Sequence, residues 1–254
     1  MKLVDVHSHI HGKEFEKDLD KVIDRARSQG IVAVFTSTLR FFEIPKALRL
    51  IDEYPGYVYL SVGCDPRLFD REEIGQIREF IETNVDKVIA VGEIGLDYYW
   101  ERRPQFRELQ RQFLLEWIGF AAQLDRPVII HSRWAGKQAI ETVLRASASI
   151  VIMHAFDGAP KHARKAAEEG VYFSIPPSIV FSKQKKLLVE ALPLDNLLLE
   201  SDAPVLSPIR GQRNEPVNIL YTAREIARIK EVDVKEVCKT TYYNTVKLFP
   251  GKFK

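Results

Sequence analysis

The stretch Leu3-Val4-Asp5-Val6-His7-Ser8-His9, residues 3–9, decides the fold. It is a short apolar run that ends in ionisable side chains. Runs of this kind suit strands of a parallel sheet buried on both faces. A buried strand does not end in ionisable groups without a reason. Seven more runs follow: VAVFTST (32–38), VYLSVGC (58–64), VIAVGEIG (88–95), PVIIHS (127–132), SIVIMHA (149–155), GVYFSI (170–175) and NLLLESD (196–202). Helical patterns lie between most of them. Phe15, Leu19, Val22, Ile23 and Ala26 recur at helical spacing, and Gly30 stands where a helix C-cap glycine belongs. Pro104 opens a stripe of Phe106, Phe113, Trp117, Phe120 and Leu124. Ala163, Ala166 and Ala167 precede Gly170, and the tail holds two more helical stretches, 216–230 and 233–248.

Strand alternating with helix predicts a parallel α/β fold. Eight strands in 254 residues favour a closed (β/α)₈ TIM barrel, as one domain over 1–254. The longest irregular stretch, APVLSPIRGQRNEP (203–216), follows the last strand, which in a barrel puts it on the catalytic face.

Composition narrows the function. The net charge is +2, from 37 basic and 35 acidic residues, so any grip on nucleic acid must come from a local cluster. Cys64 and Cys238 share no metal-like spacing and suit a reducing cytosol. The N-terminus MKLVDVHSHI lacks a signal-peptide pattern, and no apolar run approaches about 20 residues. The expectation is a cytoplasmic protein with no membrane partner.

Five strands carry ionisable groups at or near their ends: His7 and His9, Glu93, His131, His154, and Asp202. Barrel active sites lie at the C-terminal ends of the strands, so these six should converge. Four of the chain's six histidines fall there, which chance explains poorly. In a strand, residues i and i+2 share a face, so His7 and His9 should both point into the barrel mouth and Ser8 toward the helices. Four imidazoles and two carboxylates can hold two divalent cations, with a carboxylate on the central strand as the bridge. Mixed nitrogen and oxygen ligands suit Zn²⁺, Mn²⁺ or Fe²⁺, and Mg²⁺ less naturally. Two such ions can activate a water and clamp an in-line displacement, which suits hydrolysis of phosphodiesters, esters or amides. Asp202 is read as general base and acid as well as ligand, with Glu93 as the second catalytic carboxylate. Ser201 can serve as a local cap.

With these residues in hand, the chain resembles, over nearly its whole length, the TatD family of metal-dependent deoxyribonucleases within the amidohydrolase superfamily. DVHSHIHG is similar to the family's DxHxH, GEIGLDYY to its GEIGLD, and GQRNEP to its GxRNxP loop. VIIHSR, HAFDG and LLLESDAP resemble its other signatures. The resemblance implies an amidohydrolase-like barrel. It implies one metal on His7, His9, Glu93 and Asp202, and a second on Glu93, His131 and His154. Glu93 stands where many amidohydrolases have a carboxylated lysine. The resemblance also implies exonuclease action on DNA, near 3′ ends of single strands. The chain departs from the family's GxHP at Gly63-Cys64-Asp65-Pro66 and from HSRDA at His131-Ser132-Arg133-Trp134-Ala135. Both changes leave the metal ligands intact and move the question of substrate to the rim.

Rim residues carry paired readings. Arg133 can fork onto a phosphate or sit in a loop salt bridge. Arg102, Arg103, Arg107, Arg111, Arg210 and Arg213 can line a nucleic-acid track, though a solvated helix face is preferred for Arg107 and Arg111. Tyr98, Tyr99 and Trp100 can stack on bases or cover the rim. Asp65, Arg133, Tyr98 and Trp134 form the expected substrate-binding set. His11 and His162 read as surface or satisfied histidines. The leading function is a two-metal deoxyribonuclease. The first alternative is an ester or amide hydrolase, such as a lactonase or an aminoacyl-tRNA deacylase. The second is a barrel that binds nucleic acid or protein without catalysis. Oligomeric state is not legible.

Overall fold

A computed structural model describes residues 2–146 and 150–253. Each apolar run holds a strand: β1 (Leu3–Ser8), β2 (Ile31–Thr38), β3 (Val58–Val62), β4 (Val88–Gly95), β5 (Val128–His131), β6 (Val151–His154), β7 (Tyr172–Ile175) and β8 (Leu197–Leu199). Ser149, the first residue of the sixth run, lies outside the described residues. The strands pair in sequence order, all parallel, into a nearly closed (β/α)₈ barrel. The helices are α1 (Leu19–Ser28), α2 (Ile44–Glu53), α3 (Arg71–Thr83), α4 (Pro104–Gln123), α5 (Gly136–Arg145), α6 (Pro160–Glu168), α7 (Lys183–Ala191), α8 (Ile219–Lys230) and α9 (Val234–Leu248).

Local chemistry sets their ends. Pro104 and Pro160 open α4 and α6, where a missing N–H costs nothing. Asp70, Ser182 and Asp233 cap α3, α7 and α9 with side-chain oxygens. Gly30 follows α1 at φ 83°, a left-handed turn that glycine adopts without strain. The apolar spacing from Phe15 to Ala26 predicts one helix. The chain instead makes a 3₁₀ turn at Lys13–Phe15 before α1, and Phe15 stays buried in the core.

Two apolar clusters result. The larger one seals the outer faces of the strands against the helices. The smaller one includes Val4, Val6, Phe35, Ile129, Ile152 and Leu198, joined by Leu248 and Phe249 from the C-terminal tail. Phe249 meets Phe35 edge-on at 5.0 Å, so the tail plugs the bottom of the barrel.

The register breaks on the strands that carry His7 and Glu93. Three steps along β1, Asp5 to Ser8, match two along β2, Val34 to Thr36. Two steps along β4, Gly92 to Ile94, match one along β5. Each is a bulge, an extra residue that re-aims the side chains after it. Simple alternation from the inward Val4 and Val6 would turn His7 outward. The bulge in β1 turns it in.

β8 meets β1 above the strand ends rather than by a continuous ladder. Asp202 N donates to His7 O at 2.9 Å, and His9 N donates to Ala203 O at 2.7 Å. Asp5, fully buried, accepts from Ser201 N at 2.7 Å and from the Ser201 hydroxyl at 2.5 Å. Asp5→Ala would strand both buried donors, each costing on the order of 1–3 kcal/mol. The variant should unfold at lower urea, with a loss of roughly 2–5 kcal/mol. A midpoint equal to wild type would show that this clasp does not hold the barrel closed.

Candidate metal centre

The bulges bring the ligands together. His7 Nε2 lies 3.0 Å from Glu93 Oε2 and 3.6 Å from Asp202 Oδ1. His9 Nε2 lies 3.6 Å from each of those same two oxygens. The other Glu93 oxygen, Oε1, is 2.8 Å from His131 Nδ1, while Oε2 is 3.9 Å from His154 Nε2. Glycine permits this crowding. A Cβ on Gly63 would stand 2.1 Å from the Glu93 carbonyl, and one on Gly95 would stand 2.0 Å from the His131 carbonyl.

All six expected ligands therefore meet in one place, with one correction to their origin. β8 ends at Leu199, so Asp202 is not a strand-end residue. It sits in the turn beyond, at φ 53°, and its N–H bonded to His7 O fixes the turn. Ala155, which follows His154, also has positive φ, at 39°. Such backbone is costly for residues with side chains and clusters at functional sites.

Outer groups set which nitrogen of each ring faces the cavity. Ser37 O takes the His9 Nδ1–H at 2.7 Å, and a carbonyl can only accept. His9 Nε2 is thus the nitrogen with a lone pair. Ser37 Oγ holds His7 Nδ1 at 3.1 Å, and Glu200 Oε2 holds His154 Nδ1 at 3.1 Å. His131 is turned the other way: its Nε2 faces Asp97 Oδ2 at 3.5 Å and its Nδ1 faces the cavity. Glu200 is itself fixed by the Ala155 N–H at 2.9 Å and by the Ser174 hydroxyl. Asp97 accepts from the N–H groups of Tyr99 and Trp100, both at 3.0 Å. Sequence reasoning passed over Ser37, Asp97 and Glu200. Two of them lay inside motifs already quoted, GEIGLD and LLLESD, as buried acids beside a ligand strand.

The donor set fits a divalent cation. His7 Nε2 and both His131 nitrogens are buried without a hydrogen-bond partner among the described residues, although carboxylate oxygens stand close by. Three overlapping triads have ligand atoms within 4.8 Å of one another, and Glu93 belongs to two of them. Burial pushes the Glu93 carboxyl up, but His131, His154 and His7 outweigh it and hold it well below the usual carboxylate range. Burial lowers the His9 and His131 rings, yet their carboxylate neighbours raise them to about 9 and about 10. The cage favours positive charge at its centre.

The rim is more varied. Arg133 lines the metal cavity, and its guanidinium lies over the Tyr99 ring at 4.0 Å. It makes no ion pair among the described residues, so the loop salt bridge is not formed. Asp65 does not reach the cavity, because Arg67 grips both its oxygens at 2.9 and 2.7 Å. Tyr98 is buried, and its hydroxyl takes a hydrogen bond from Arg111 at 2.9 Å. Trp134 is exposed beyond the cavity, its N–H held by Asp157 Oδ2 at 2.8 Å.

Arg107 and Arg111 are not a solvated face. Arg107 donates to the carbonyls of Glu101 and Tyr98, and both arginines pin the loop before α4. Arg103 is paired with Glu101 and Arg213 with Asp18. His11 is satisfied by Thr36 Oγ1 at 2.8 Å.

Groups that orient metal-binding histidines typically matter about 10- to 100-fold in metal affinity. Glu200→Gln keeps all six ligands and removes the charge behind His154. It should weaken Mn²⁺ or Zn²⁺ binding by about that factor in chelator competition. Unchanged affinity would mean Glu200 does not support His154.

Comparison with known proteins agrees with this geometry. The family described as TatD related DNase matches residues 4–250. The human protein called Deoxyribonuclease TATDN3 is 38% identical over 263 residues, covering 98% of this chain and 94% of that one. The Bacillus subtilis protein described as uncharacterized metal-dependent hydrolase YabD is 32% identical, covering 97% and 98%. Among solved structures, the TatD homologue YJJV of Escherichia coli K12 superposes with a TM-score of 0.88 at 26% identity, over 97% of each chain. With the family matched over residues 4–250 and a relative 38% identical over 98% of the chain, the chain belongs to the TatD related DNase family.

Proposed function

We propose that this protein is a metal-dependent deoxyribonuclease that hydrolyses the phosphodiester bonds of DNA with two divalent cations. The observation that carries the reading is Glu93, whose two oxygens divide between the His7–His9 side and His131. One cation would be held by His7, His9, Glu93 and Asp202. The other would be held by Glu93, His131 and His154. Zn²⁺ and Mn²⁺ suit these donors, and Mg²⁺ suits them less. When bound, such a pair supplies a nucleophilic water at neutral pH and stabilises charge on the phosphoryl oxygens.

The chain's own residues do the rest. Burial pushes the Asp202 carboxyl up, against the pull of His154, His7 and His9, which makes it a better proton acceptor. Asp202 takes the proton of the attacking water and returns it to the leaving oxygen. The water oxygen bonds to phosphorus as the bond to the leaving nucleotide breaks. Arg133, at the cavity without a carboxylate partner, grips a non-bridging phosphate oxygen. Asp65 and Tyr98 are taken to shape the loops through Arg67 and Arg111.

The metal cavity is a pocket of about 460 Å³, which suits a strand end, so action as an exonuclease on single strands is part of the reading. No helix among the described residues is long and apolar enough to cross a membrane. Cys64 and Cys238 are buried and unpaired, which agrees with the cytoplasm as its compartment.

Defined oligonucleotides, labelled at one end, test the proposal with Mn²⁺, Mg²⁺, Zn²⁺ and EDTA. Cleavage should need metal and vanish in EDTA. Glu93→Ala should lose at least about 100-fold in rate while its circular dichroism stays native, since it removes a bridging ligand and no core packing. Hydrolysis of acyl esters or amides, with no DNA cleavage at any Mg²⁺ or Mn²⁺ concentration, would replace this reading with the carbonyl one. A protein that binds no metal and stays inert when metal is supplied would support a binding barrel. In a separate measurement, Asp202→Asn should lower kcat by roughly 10²–10⁴-fold with little change in KM. A proportional rise in KM would instead make Asp202 a binding group.

A further inference from the structure

A second space adjoins the metal cavity. It is a groove of about 890 Å³ on the catalytic face, framed by the loops that follow β5, β6, β7 and β8. Trp134 comes from the loop after β5 and Phe181 from the loop after β7, and both are exposed. The Arg210 guanidinium lies over the Phe181 ring at 4.6 Å. Asp157, Lys185 and Leu206 line the groove and the metal cavity alike, so the two spaces are continuous.

Lys185 is the unusual member. Only 6% of its surface is exposed, and no carboxylate stands within ion-pairing distance among the described residues. Its Nζ donates to Ala155 O at 2.5 Å and Phe156 O at 2.6 Å. An ammonium has three donors, and these carbonyls take two. Asp157, Glu200 and Asp202 act on it only from beyond contact distance, so the buried cation is incompletely compensated, and an anionic ligand at the junction would take its third donor. Asp157 commits one oxygen elsewhere, its Oδ2 holding the Trp134 N–H, while its Oδ1 is buried without a hydrogen-bond partner among the described residues. That bond fixes Trp134 at φ 57°, a conformation costly for a bulky residue.

Exposed aromatic rings beside a buried cation and a stacked arginine match the chemistry of single-stranded polynucleotides. Bases stack on aromatic side chains when their faces are free, and phosphates pair with the cations. A duplex hides those faces. We infer that this groove seats a nucleoside next to the scissile phosphate of a single-stranded polynucleotide. Its base lies against Trp134 and Phe181, and the neighbouring phosphate lies against Lys185 and Arg210. The inference rests on the phosphodiesterase reading and adds to it the residues outside the metal cage that hold the nucleoside beside the scissile phosphate.

The test is binding in EDTA, which stops turnover. The probes are a fluorescein-labelled single-stranded hexanucleotide, a series lacking one base at a time, and the matching duplex. Wild type should bind the duplex more weakly. Removing the base at one particular position should weaken binding by roughly 5- to 100-fold. The double variant Trp134→Ala/Phe181→Ala should bind the intact strand as weakly as that abasic one and no longer tell them apart. Lys185→Met should flatten the slope of log Kd against log salt by about 0.7. If Lys185→Met does not fold, the double variant carries the test, since both its rings are exposed. No base mattering to wild type, or discrimination surviving in the double variant, would overturn the groove. A protein that discriminates as expected but cleaves no phosphodiester would keep the groove and overturn the phosphodiesterase reading. One that cleaves DNA without discriminating would do the reverse.

Discussion

The Glu93 carboxylate is buried among imidazole rings, and its negative charge is the condition for their crowding. His7 and His154 have ring centroids only 3.9 Å apart. Two protonated rings at that distance inside a protein would repel strongly. Burial lowers both rings, helped by His154 at His7 and by His131 and His9 at His154, while Glu93 pulls the balance back. Without Glu93 the four rings would keep only the Asp202 carboxylate, on the His7 and His9 side, and no charge would lie between the two halves of the cage. With it, the cage has a charge that both halves share.

That constraint reaches into the backbone. A shared carboxylate must lie between β1 on one side and β5 and β6 on the other. Ordinary alternation on β4 does not deliver it, and the extra residue between Gly92 and Ile94 does. The bulge brings the Glu93 peptide against Gly63 and Gly95 against His131, so the neighbouring positions cannot carry a Cβ. The glycines of the GEIG and GCDP stretches are thus steric consequences of where one carboxylate must sit. The bonds from Ser201 to Asp5 and from Asp202 to His7 hold the last ligand to the first strand, so barrel closure and ligand placement rest on the same atoms.

The strand order and the convergence of six candidate ligands were legible because both rest on local periodicity and residue type. An apolar run ending in histidine can be read without its neighbours. What the sequence hid was relational. A bulge exists only against a partner strand, so residues 3–9 put His7 and His9 on one face, the barrel mouth, but do not show the extra residue that lets His7 follow Val6 inward. Arg107 and Arg111 look like a helix face because the loop that folds back over them, Tyr98 to Glu101, is invisible to a helical count. Tyr98 drew attention beside Tyr99, yet the backbone sends one under the loop and the other toward Arg133. Asp65 departs from a motif, and its partner Arg67 stands only two residues away, so this pairing is local enough to be read from sequence.

The separation between cage and rim explains why the family is easier to read than the substrate. Every cage residue answers to several others at once: Ser37 serves both His7 and His9, and Glu200 joins His154 to Ser174 and Ala155. A change at one place strands a buried partner at another, so residue type there is dictated by the chemistry of the centre. Trp134 answers to one backbone bond, to the Tyr99 ring edge-on at 4.9 Å and otherwise to open space. Its side chain is set by what lands on it rather than by what surrounds it. Hydrolysis is therefore fixed deep in the barrel, where side chains constrain one another, and the choice of bond is made where they do not.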